Sequence, residues 1–466
     1  MPNPSALTET DVLAISDRAI SADAGDPTWL RDRRLEAFKA FSDLDWPTVR
    51  DEDWRFTNPN RIDLDRDIRS ATTTVAGPSG VVATGLLQAA GTHGDLVEQH
   101  LGSVVPPEEK FAALAMAAFD GGAFVHIPAE VETDEPITID IQAEAGTQIR
   151  WVLIVAERHS KATILLNQTG SAASTVIDVV EAVVGEGATL NLVTSQDWGD
   201  GVAHVTTHRG KVGRDATYQQ TEVTLGGDTV YVRPDVWLAG RGGNAEMLGV
   251  YFPTGNKQVE HRSLIFHDAD HTVSDYIHKG ALSDNAYATW YGNIRIDIDA
   301  KQTISDETNR NLILSPGAKA DTLPFLEIET ADVAACGHHS SVGQVDEVQL
   351  WYLQSRGISR EEAARMLVFA FFTEILQRVN APGVAEKVLA DIEAAVRTAP
   401  ATLMDPRRTA ANRSATAGTK EAGTAHVDTT GTRMDVGSRD AGAGPANFAP
   451  AASDPADPAV GNAARS

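Results

Sequence analysis

Residues 161–247 repeat a short motif in which an alanine follows a turn and a β-strand follows the alanine. The four copies are Lys161-Ala162-Thr163, Ala188-Thr189-Leu190, Ala216-Thr217-Tyr218 and Ala245-Glu246-Met247. Their alanines are spaced by 26, 28 and 29 residues. This period suits the stacked turns of a β-solenoid, whereas strands of a two-sheet sandwich recur about every 8–12 residues. The repeat therefore predicts a solenoid as the core of the chain.

The residues on either side of this repeat divide the chain into regions. Short runs rich in Val, Ile, Thr and Tyr alternate with polar residues from Ala123 to Ile328, so we expect a mainly β core over residues 123–357. Before the core, Asp26-Pro27 is a typical helix start, and an apolar helix is expected from Pro107 to Phe119. We assign residues 1–122 to a helical and irregular N-terminal domain.

Apolar residues return to helical spacing after the core. Ser359 begins a capping-box pattern with Glu362, which predicts the start of a helix. The apolar stripe of this helix includes Met366, Phe371 and Ile375. A second amphipathic helix is expected to end near Val396.

These two helices are expected to form a small C-terminal unit over residues 358–399.

Residues 400–466 contain mostly Ala, Gly, Thr, Pro and Asp, with almost no large apolar side chains. Such a segment cannot bury enough apolar surface to offset the entropy of ordering. We therefore expect a disordered C-terminal tail.

The composition limits the possible partners and compartments. The net charge is −26, from 65 acidic and 39 basic residues, and no basic patch offsets it, so neither nucleic acid nor an anionic membrane is expected to bind. No apolar run approaches the roughly 18 residues that span a bilayer, and the N-terminus does not read as a secretory signal. A single cysteine fits a reducing compartment. We therefore expect a cytoplasmic protein.

Motifs for phosphate loops, dinucleotide binding, paired-cysteine sites and serine hydrolases are absent from the sequence. His267 and His271 would lie roughly 13 Å apart on a strand, too far to share one metal ion, so with His278 they are interpreted as polar surface histidines. Asp297 and Asp299 would share a strand face, as the paired carboxylates of a glycan-cleaving β-helix enzyme do. An acidic solvated edge is the simpler interpretation.

The segment Cys336-Gly337-His338-His339 has a more specific chemistry. A thiolate and an imidazole two residues apart lie on one side of a strand, and this combination of sulfur and nitrogen suits iron, zinc or copper. Two ligands do not complete a site, so the others would come from elsewhere in the fold or from a second subunit. The alternative is a buried free cysteine beside a polar turn, and the residues alone leave both interpretations open.

Several motifs surround this segment in a fixed order: Pro324-Phe325-Leu326-Glu327-Ile328, Asp332-Val333, Cys336-Gly337-His338, Val342-Gly343-Gln344, Tyr352-Leu353 and Ser355-Arg356-Gly357-Ile358. The series resembles the C-terminal core of the SufB/SufD iron–sulfur cluster assembly family. Asp53-Trp54-Arg55-Phe56-Thr57, and Ala113-Leu114 through Gly121, are similar to the N-terminal region of the SufD branch. The resemblance covers most of the chain before the tail.

The resemblance implies a right-handed parallel β-helix with helical domains at both ends. It also implies a non-enzymatic scaffold subunit that pairs with SufB through the end of the β-helix. Two copies of the SufC ATPase belong to the implied complex, and SufC would dock on the C-terminal helices, for which the expected contacts are Ser359, Met366, Phe371 and Ile375. Cys336 and His338 are the implied metal ligands at the SufB interface, where an iron–sulfur cluster is held only transiently.

The chain departs from the family pattern at two places. His339-Ser340-Ser341 stands where Gly-Ala-Thr is usual, and no cysteine occurs near Asn309, where SufB-type members carry one. The resemblance is therefore to SufD. The alternatives are a SufB-like paralogue, a β-helix carbohydrate-active enzyme using Asp297 and Asp299, and a self-assembling solenoid without a ligand.

Overall fold

A computed structural model describes residues 26–62, 64, 72–170, 173–379 and 382–398. The predicted tail, residues 400–466, lies outside the described residues. The helices are α1 (Thr28–Asp43), α2 (Leu86–Thr92), α3 (Gly94–His100), α4 (Lys110–Ala118), α5 (Glu347–Ser355), α6 (Arg360–Leu376) and α7 (Pro382–Thr398), with short 3₁₀ helices at Glu52–Trp54 and Pro59–Arg61. None of the helices in the described part of the chain has the length and apolar content required to cross a bilayer.

In the described part of the chain, eighteen strands form two sheets of nine. The first sheet contains, in spatial order, β1 (Thr72–Ala76), β4 (Ile137–Ala143), β6 (Lys161–Gly170), β8 (Thr189–Trp198), β10 (Thr217–Thr224), β12 (Asn244–Tyr251), β14 (Val273–Leu282), β16 (Thr303–Ile313) and β18 (Val333–Gln344). The second sheet contains β2 (Val82–Gly85), β3 (Gly122–Ile127), β5 (Gly146–Ala156), β7 (Ser174–Val184), β9 (Val202–Val212), β11 (Thr229–Leu238), β13 (Gln258–His267), β15 (Tyr287–Ile296) and β17 (Lys319–Ile328).

From β3 onward the chain passes from one sheet to the other at each step, so the two sheets are opposite walls of a β-solenoid of about eight turns. From β3 onward neighbouring strands are parallel. At the N-terminal end, β1 pairs antiparallel with β4, and β2 pairs antiparallel with β3. The predicted mainly β core is confirmed. Its strands continue past Ile328 to Gln344, so the cysteine and histidine segment lies in the last strand.

The ladder register corrects the alignment of the sequence repeat. Leu190 pairs with Ala162 on one side and with Tyr218 on the other, and Tyr218 pairs with Ala245. Ala162 and Ala245 therefore lie two residues further along their turns than the other two alanines of the motif. The period of the repeat is right, although its four alanines do not form one stack.

The turns between strands explain the other two alanines. Ala188 donates its N–H to the carbonyl of Gly185 (3.1 Å), and the residue before it, Gly187, has a φ of 65°, which favours glycine. Ala216 makes the same contact with Gly213 (3.3 Å) in the next turn of the first sheet. Both alanines are fully buried in the interior apolar cluster.

The solenoid interior combines an apolar core with buried ion pairs. Arg150 Nη1 lies 3.3 Å from Asp178 Oδ1, and His204 Nε2 lies 2.9 Å from Asp178 Oδ2. Burial raises the pKa of Asp178, but the charge of Arg150 and the hydrogen bond of His204 outweigh it, and the pKa is lowered. Burial also raises the pKa of Glu222, yet His208 Nδ1, 2.6 Å from Glu222 Oε1, helps to bring it down to about 2.

The N-terminal helices cover the outer face of the second sheet. Leu30, Phe41 and many residues of α4 form one apolar cluster with outward-facing residues of β5, such as Trp151. The aromatic segment from Asp53 to Thr57 packs on the same face of the second sheet, where Trp54 stacks on Tyr231 with ring centroids 4.4 Å apart. The predicted helices at both ends of the N-terminal region are confirmed as α1 and α4.

The C-terminal helices cover the outer face of the first sheet. Ile375 of α6 is fully buried in a cluster that includes Leu248 of β12 and Ala281 of β14. The side chain of Ser359 caps α6 by accepting the N–H of Glu362 (3.2 Å), as the capping-box pattern predicts. One helix more than expected, α5, connects β18 to this unit.

One buried carboxyl lies between the N-terminal segment and the second sheet. Thr57 Oγ1 donates to Glu260 Oε2 at 2.6 Å, and Glu260 is fully buried. Burial raises the pKa of Glu260 from its ordinary 4.5 to about 7. Because the unfolded chain loses this proton at lower pH than the folded chain, the carboxyl destabilises the fold increasingly as the pH rises from 4.5 to 7.

We predict that Glu260→Gln raises the free energy of unfolding by roughly 1–3 kcal/mol at pH 8 and by less than about 1 kcal/mol at pH 5. Urea unfolding at the two pH values measures both. Glu186→Gln is the control, because Glu186 is exposed in a turn and surface substitutions change stability little. An equal gain at both pH values would contradict a raised pKa for Glu260.

Candidate functional site

The predicted site segment lies on the last strand of the first sheet. In the parallel ladder between β16 and β18, Cys336 is the partner of Ser305 and His338 is the partner of Glu307. Among the described residues, β18 pairs with β16 alone and β17 with β15 alone, so the last turn of the solenoid has an unpaired edge on each sheet. The site is therefore at the open C-terminal end of the solenoid.

Strand alternation separates the two histidines. Cys336 packs against the interior apolar cluster, so the inward face of β18 carries Cys336 and His338. His339 is on the outward face, where its Nε2 lies 3.4 Å from Asp306 Oδ1. A methyl group placed on Gly337 would lie 2.8 Å from the same Asp306 oxygen, which confirms that these outward positions lie together. The structure thus brings Cys336 and His338 to one face and excludes His339 from it.

Glu307 lies beneath His338 on the inward face of the adjacent strand, and the sequence analysis did not identify it. It is fully buried in β16, and burial raises its pKa to about 8. It alternates with Asp306 along the strand, so the sequence shows two adjacent acidic residues with no sign of which one is buried. The strand register next to His338 is the signal that identifies it.

The environment of Cys336 favours the neutral thiol. Burial, with smaller contributions from Glu307 and Asp306, raises the pKa of Cys336 to about 11. A thiol in such a negative environment becomes a thiolate readily only when a cation binds to it. Half-buried Cys336 and exposed His338 offer sulfur and nitrogen donors. No three His, Cys, Asp or Glu side chains converge to metal-binding distance anywhere in the described ranges.

The surface interpretation of the other histidines is wrong for two of the three. His267 and His278 are buried in the solenoid interior, while His271 is exposed in a turn. The ring nitrogens of His267 lie 2.8 Å from Thr272 Oγ1 and 2.9 Å from Ser274 Oγ. Burial lowers the pKa of His267 to about 3, so this ring is a neutral hydrogen-bonding group.

Asp297 and Asp299 do not share a strand face. Both follow β15 in a turn, where Asp297 Oδ1 accepts the backbone N–H of Asp299 at 3.2 Å. Asp297 therefore uses one carboxylate oxygen to cap its own turn. The two acids do not face each other across a cleft, as paired catalytic carboxylates would. The expectation of two carboxylates on one strand is therefore wrong.

The expected SufC contacts differ in accessibility. Met366 is 44% exposed, Phe371 is half-buried, and Ile375 is fully buried against the first sheet. Three neighbouring residues on α5 are more exposed than any of these: Val348, Trp351 and Tyr352. Their spacing of three and four residues marks one helix face, which is a signal that the sequence contains.

Ionic contacts hold α6 against the first sheet. Lys279 of β14 donates to the carbonyl of Phe371 at 3.0 Å and pairs with Glu374. Arg378, just after α6, pairs with Asp275 of the same strand at 2.5 Å. These contacts, together with the apolar cluster beneath them, make α6 and the sheet one packed unit.

Comparison with known proteins gives a consistent match. Residues 139–371, from β4 to α6, match the family described as the SUF system FeS cluster assembly, SufBD core domain. An iron–sulfur cluster assembly SufBD family protein of Mycobacterium tuberculosis is 34% identical over 361 residues, covering 74% of this chain and 88% of the relative. The iron–sulfur cluster assembly protein SufD of Bacillus subtilis is 29% identical over 420 residues, covering 80% and 95%.

The single cysteine allows a direct test of the site's electrostatics. We predict that the rate of alkylation of Cys336 by iodoacetamide in the folded chain keeps rising beyond pH 10, because the thiolate is the nucleophile and the pKa is about 11. In urea the rate should be half-maximal near pH 9, the ordinary pKa of this thiol, and should level off about one pH unit higher. A folded-state profile that is half-maximal near pH 9 would contradict the raised pKa.

Proposed function

The chain belongs to the SufBD family of iron–sulfur cluster assembly proteins, and we propose that it is the SufD-type subunit of a SufBCD scaffold complex. The observation that carries the proposal is the position of Cys336 and His338, which face inward at the unpaired edge of the last turn. In this role the chain is a non-catalytic cytoplasmic subunit, and ATP hydrolysis takes place on SufC.

A SufB-type subunit is the proposed partner at the open end. Unpaired strand edges bind other strands readily, and the exposed apolar residues of the last turn add surface to such a contact: Phe325, Ile328 and Val342. The position corresponding to the SufB cysteine lies near Asn309, which is buried in β16, and the chain has no second cysteine. These features favour the SufD role over that of a SufB-like paralogue.

Cys336 and His338 contribute half of a shared site in this proposal. The iron and sulfide of the nascent cluster are the cargo, and the partner subunit supplies the remaining ligands. A thiol with a raised pKa must lose its proton to bind iron, and the cost of that deprotonation weakens its hold on the cargo. Transient holding suits a scaffold that passes its cluster on.

SufC is proposed to dock on the C-terminal helices around Met366 and Phe371. Ser359 would fix the start of the docking helix, and Ile375 would anchor this helix to the solenoid. β18 ends at Gln344 and α5 begins at Glu347, so a displacement of the helices by SufC acts directly on the strand that carries Cys336. ATP binding would thereby open the paired ends to iron and sulfide.

We predict that His338→Ala leaves the complex with SufB and SufC intact but lowers the yield of assembled cluster about tenfold or more, as the loss of a metal ligand does. His339→Ala is the matched control, because His339 lies on the outward face of the same strand. Co-purification measures the complex and absorption spectroscopy measures the cluster. Equal yields from the two variants would remove His338 from the site, and a chain that binds neither subunit would end the proposal.

A second variant tests the docking surface. We predict that Met366→Arg weakens binding to SufC about tenfold, or about 1.4 kcal/mol, because it places a charge in an apolar contact. Leu35→Arg on α1 is the control, since Leu35 is 40% exposed on the opposite covering layer. Calorimetric titration with SufC measures both. If the two variants bind SufC equally well, the contact lies elsewhere, and the exposed face of α5 becomes the next surface to test.

A further inference from the structure

Exposed apolar side chains are concentrated at the open end of the solenoid. Eleven large apolar side chains in the described ranges are 40% or more exposed, and six of them occur between residues 325 and 352. Three of the six belong to the last turn, and the other three, Val348, Trp351 and Tyr352, belong to α5. Concentrated apolar exposure that includes Trp and Tyr is typical of a protein–protein contact.

The opposite side of α5 holds the helix in a fixed position. Leu350 is buried in the apolar cluster beneath α6. Glu347 accepts two hydrogen bonds from the guanidinium of Arg360, at 2.6 and 2.9 Å, and Asp346 caps the helix by accepting the N–H of Val348 at 2.8 Å. The exposed face is therefore formed before any partner binds, which lowers the entropic cost of a contact.

The exposed face of α5 continues the surface of β18. Every residue from 338 to 344 is exposed, and these residues alternate between the two faces of the strand. A groove beside α5 is lined by Ile313 and Gln344, the last residues of β16 and β18, and by Glu347 and Leu350 of α5. α5 thus lies next to the unpaired edge of the first sheet.

A strand edge gives little selectivity by itself. Its main-chain groups are the same in every strand, so the side chains beside the edge determine which partner fits. Trp351 and Tyr352 are the largest exposed side chains beside β18, and the guanidinium carbon of Arg356 lies 5.3 Å from the centroid of the Tyr352 ring. Trp, Tyr and Arg are the residue types that contribute most of the binding energy in protein interfaces.

We propose that the exposed face of α5 selects the subunit that pairs with the open end. Trp351 enters an apolar pocket of that subunit, and Arg356 pairs with an acidic group at the rim of the pocket. The inference rests on the proposed function, because the partner is the SufB-type subunit. Continuity with the edge of β18 favours this subunit over SufC. A second copy of this chain is disfavoured, because it would bring together two net charges of −26.

The test measures the Kd of the full-length chain for the SufB-type subunit and, separately, for SufC, by calorimetric titration. Trp351→Ala should raise the Kd for the SufB-type subunit about tenfold or more and leave the Kd for SufC within about twofold. Arg356→Glu should also weaken binding to the SufB-type subunit, because it reverses the charge that faces the acidic group, and Arg356→Lys should be intermediate.

Val49→Ala is the matched control. Val49 is 51% exposed between α1 and the first 3₁₀ helix, so its truncation should change neither Kd by more than about twofold. Thermal melting excludes misfolding, since Trp351 is 68% exposed and Trp351→Ala should melt close to the temperature of the unsubstituted chain.

Three results would overturn the proposal. Trp351→Ala could weaken binding to SufC alone, which would assign α5 to the ATPase, or it could leave both Kd values unchanged. In sedimentation of the chain alone, a dimer that Trp351→Ala abolishes would assign the face to a second copy. The proposed function fails separately, if the unsubstituted chain does not bind the SufB-type subunit. Binding that Trp351→Ala does not weaken removes only the role of α5.

Discussion

Each turn of the solenoid satisfies the backbone N–H and C=O groups of the turn before it through parallel ladders. Hydrogen bonding of this kind fixes the direction of growth and leaves the final strands, β17 and β18, with one unpaired edge each. The N-terminal end differs, because its edge strands β1 and β2 run antiparallel to their neighbours β4 and β3. Only the C-terminal end therefore presents edges that continue the parallel ladders.

The ladder also determines which side chains meet. Parallel strands in register stack like positions above one another, so an inward residue on one turn always lies over an inward residue of the turn before. Cys336 lies over Ser305 in this way, and His338 lies over Glu307. His339 is one residue away from His338 in sequence but on the other side of the wall. The position of a residue along its strand thus decides whether it belongs to the site.

The sequence predicts the parts of the fold that depend on period and composition. The 26–29-residue repeat, the apolar stripe after Ser359 and the aromatic segment at Trp54 each correspond to an observed element. The sequence does not predict the role of the polar inward residues. His267, His278 and Glu307 occupy core positions, yet in a pattern of alternation a polar residue is assigned to the surface. Only the register shows that these residues lie on the inward face.

The charged residues inside the solenoid follow one rule, to which Glu307 is the exception. Asp178 is paired with Arg150 and His204 of the adjacent strands in its own sheet, and Glu222 is paired with His208 of the opposite sheet, so each of these acids has a basic partner. Glu307 lies one turn from the open end, where its ladder partner is His338 and the described chain adds no further strand beyond β18. Without a basic partner, Glu307 is accommodated differently: burial raises its pKa to about 8, so at neutral pH the carboxyl is mostly protonated and brings no buried negative charge into the interior.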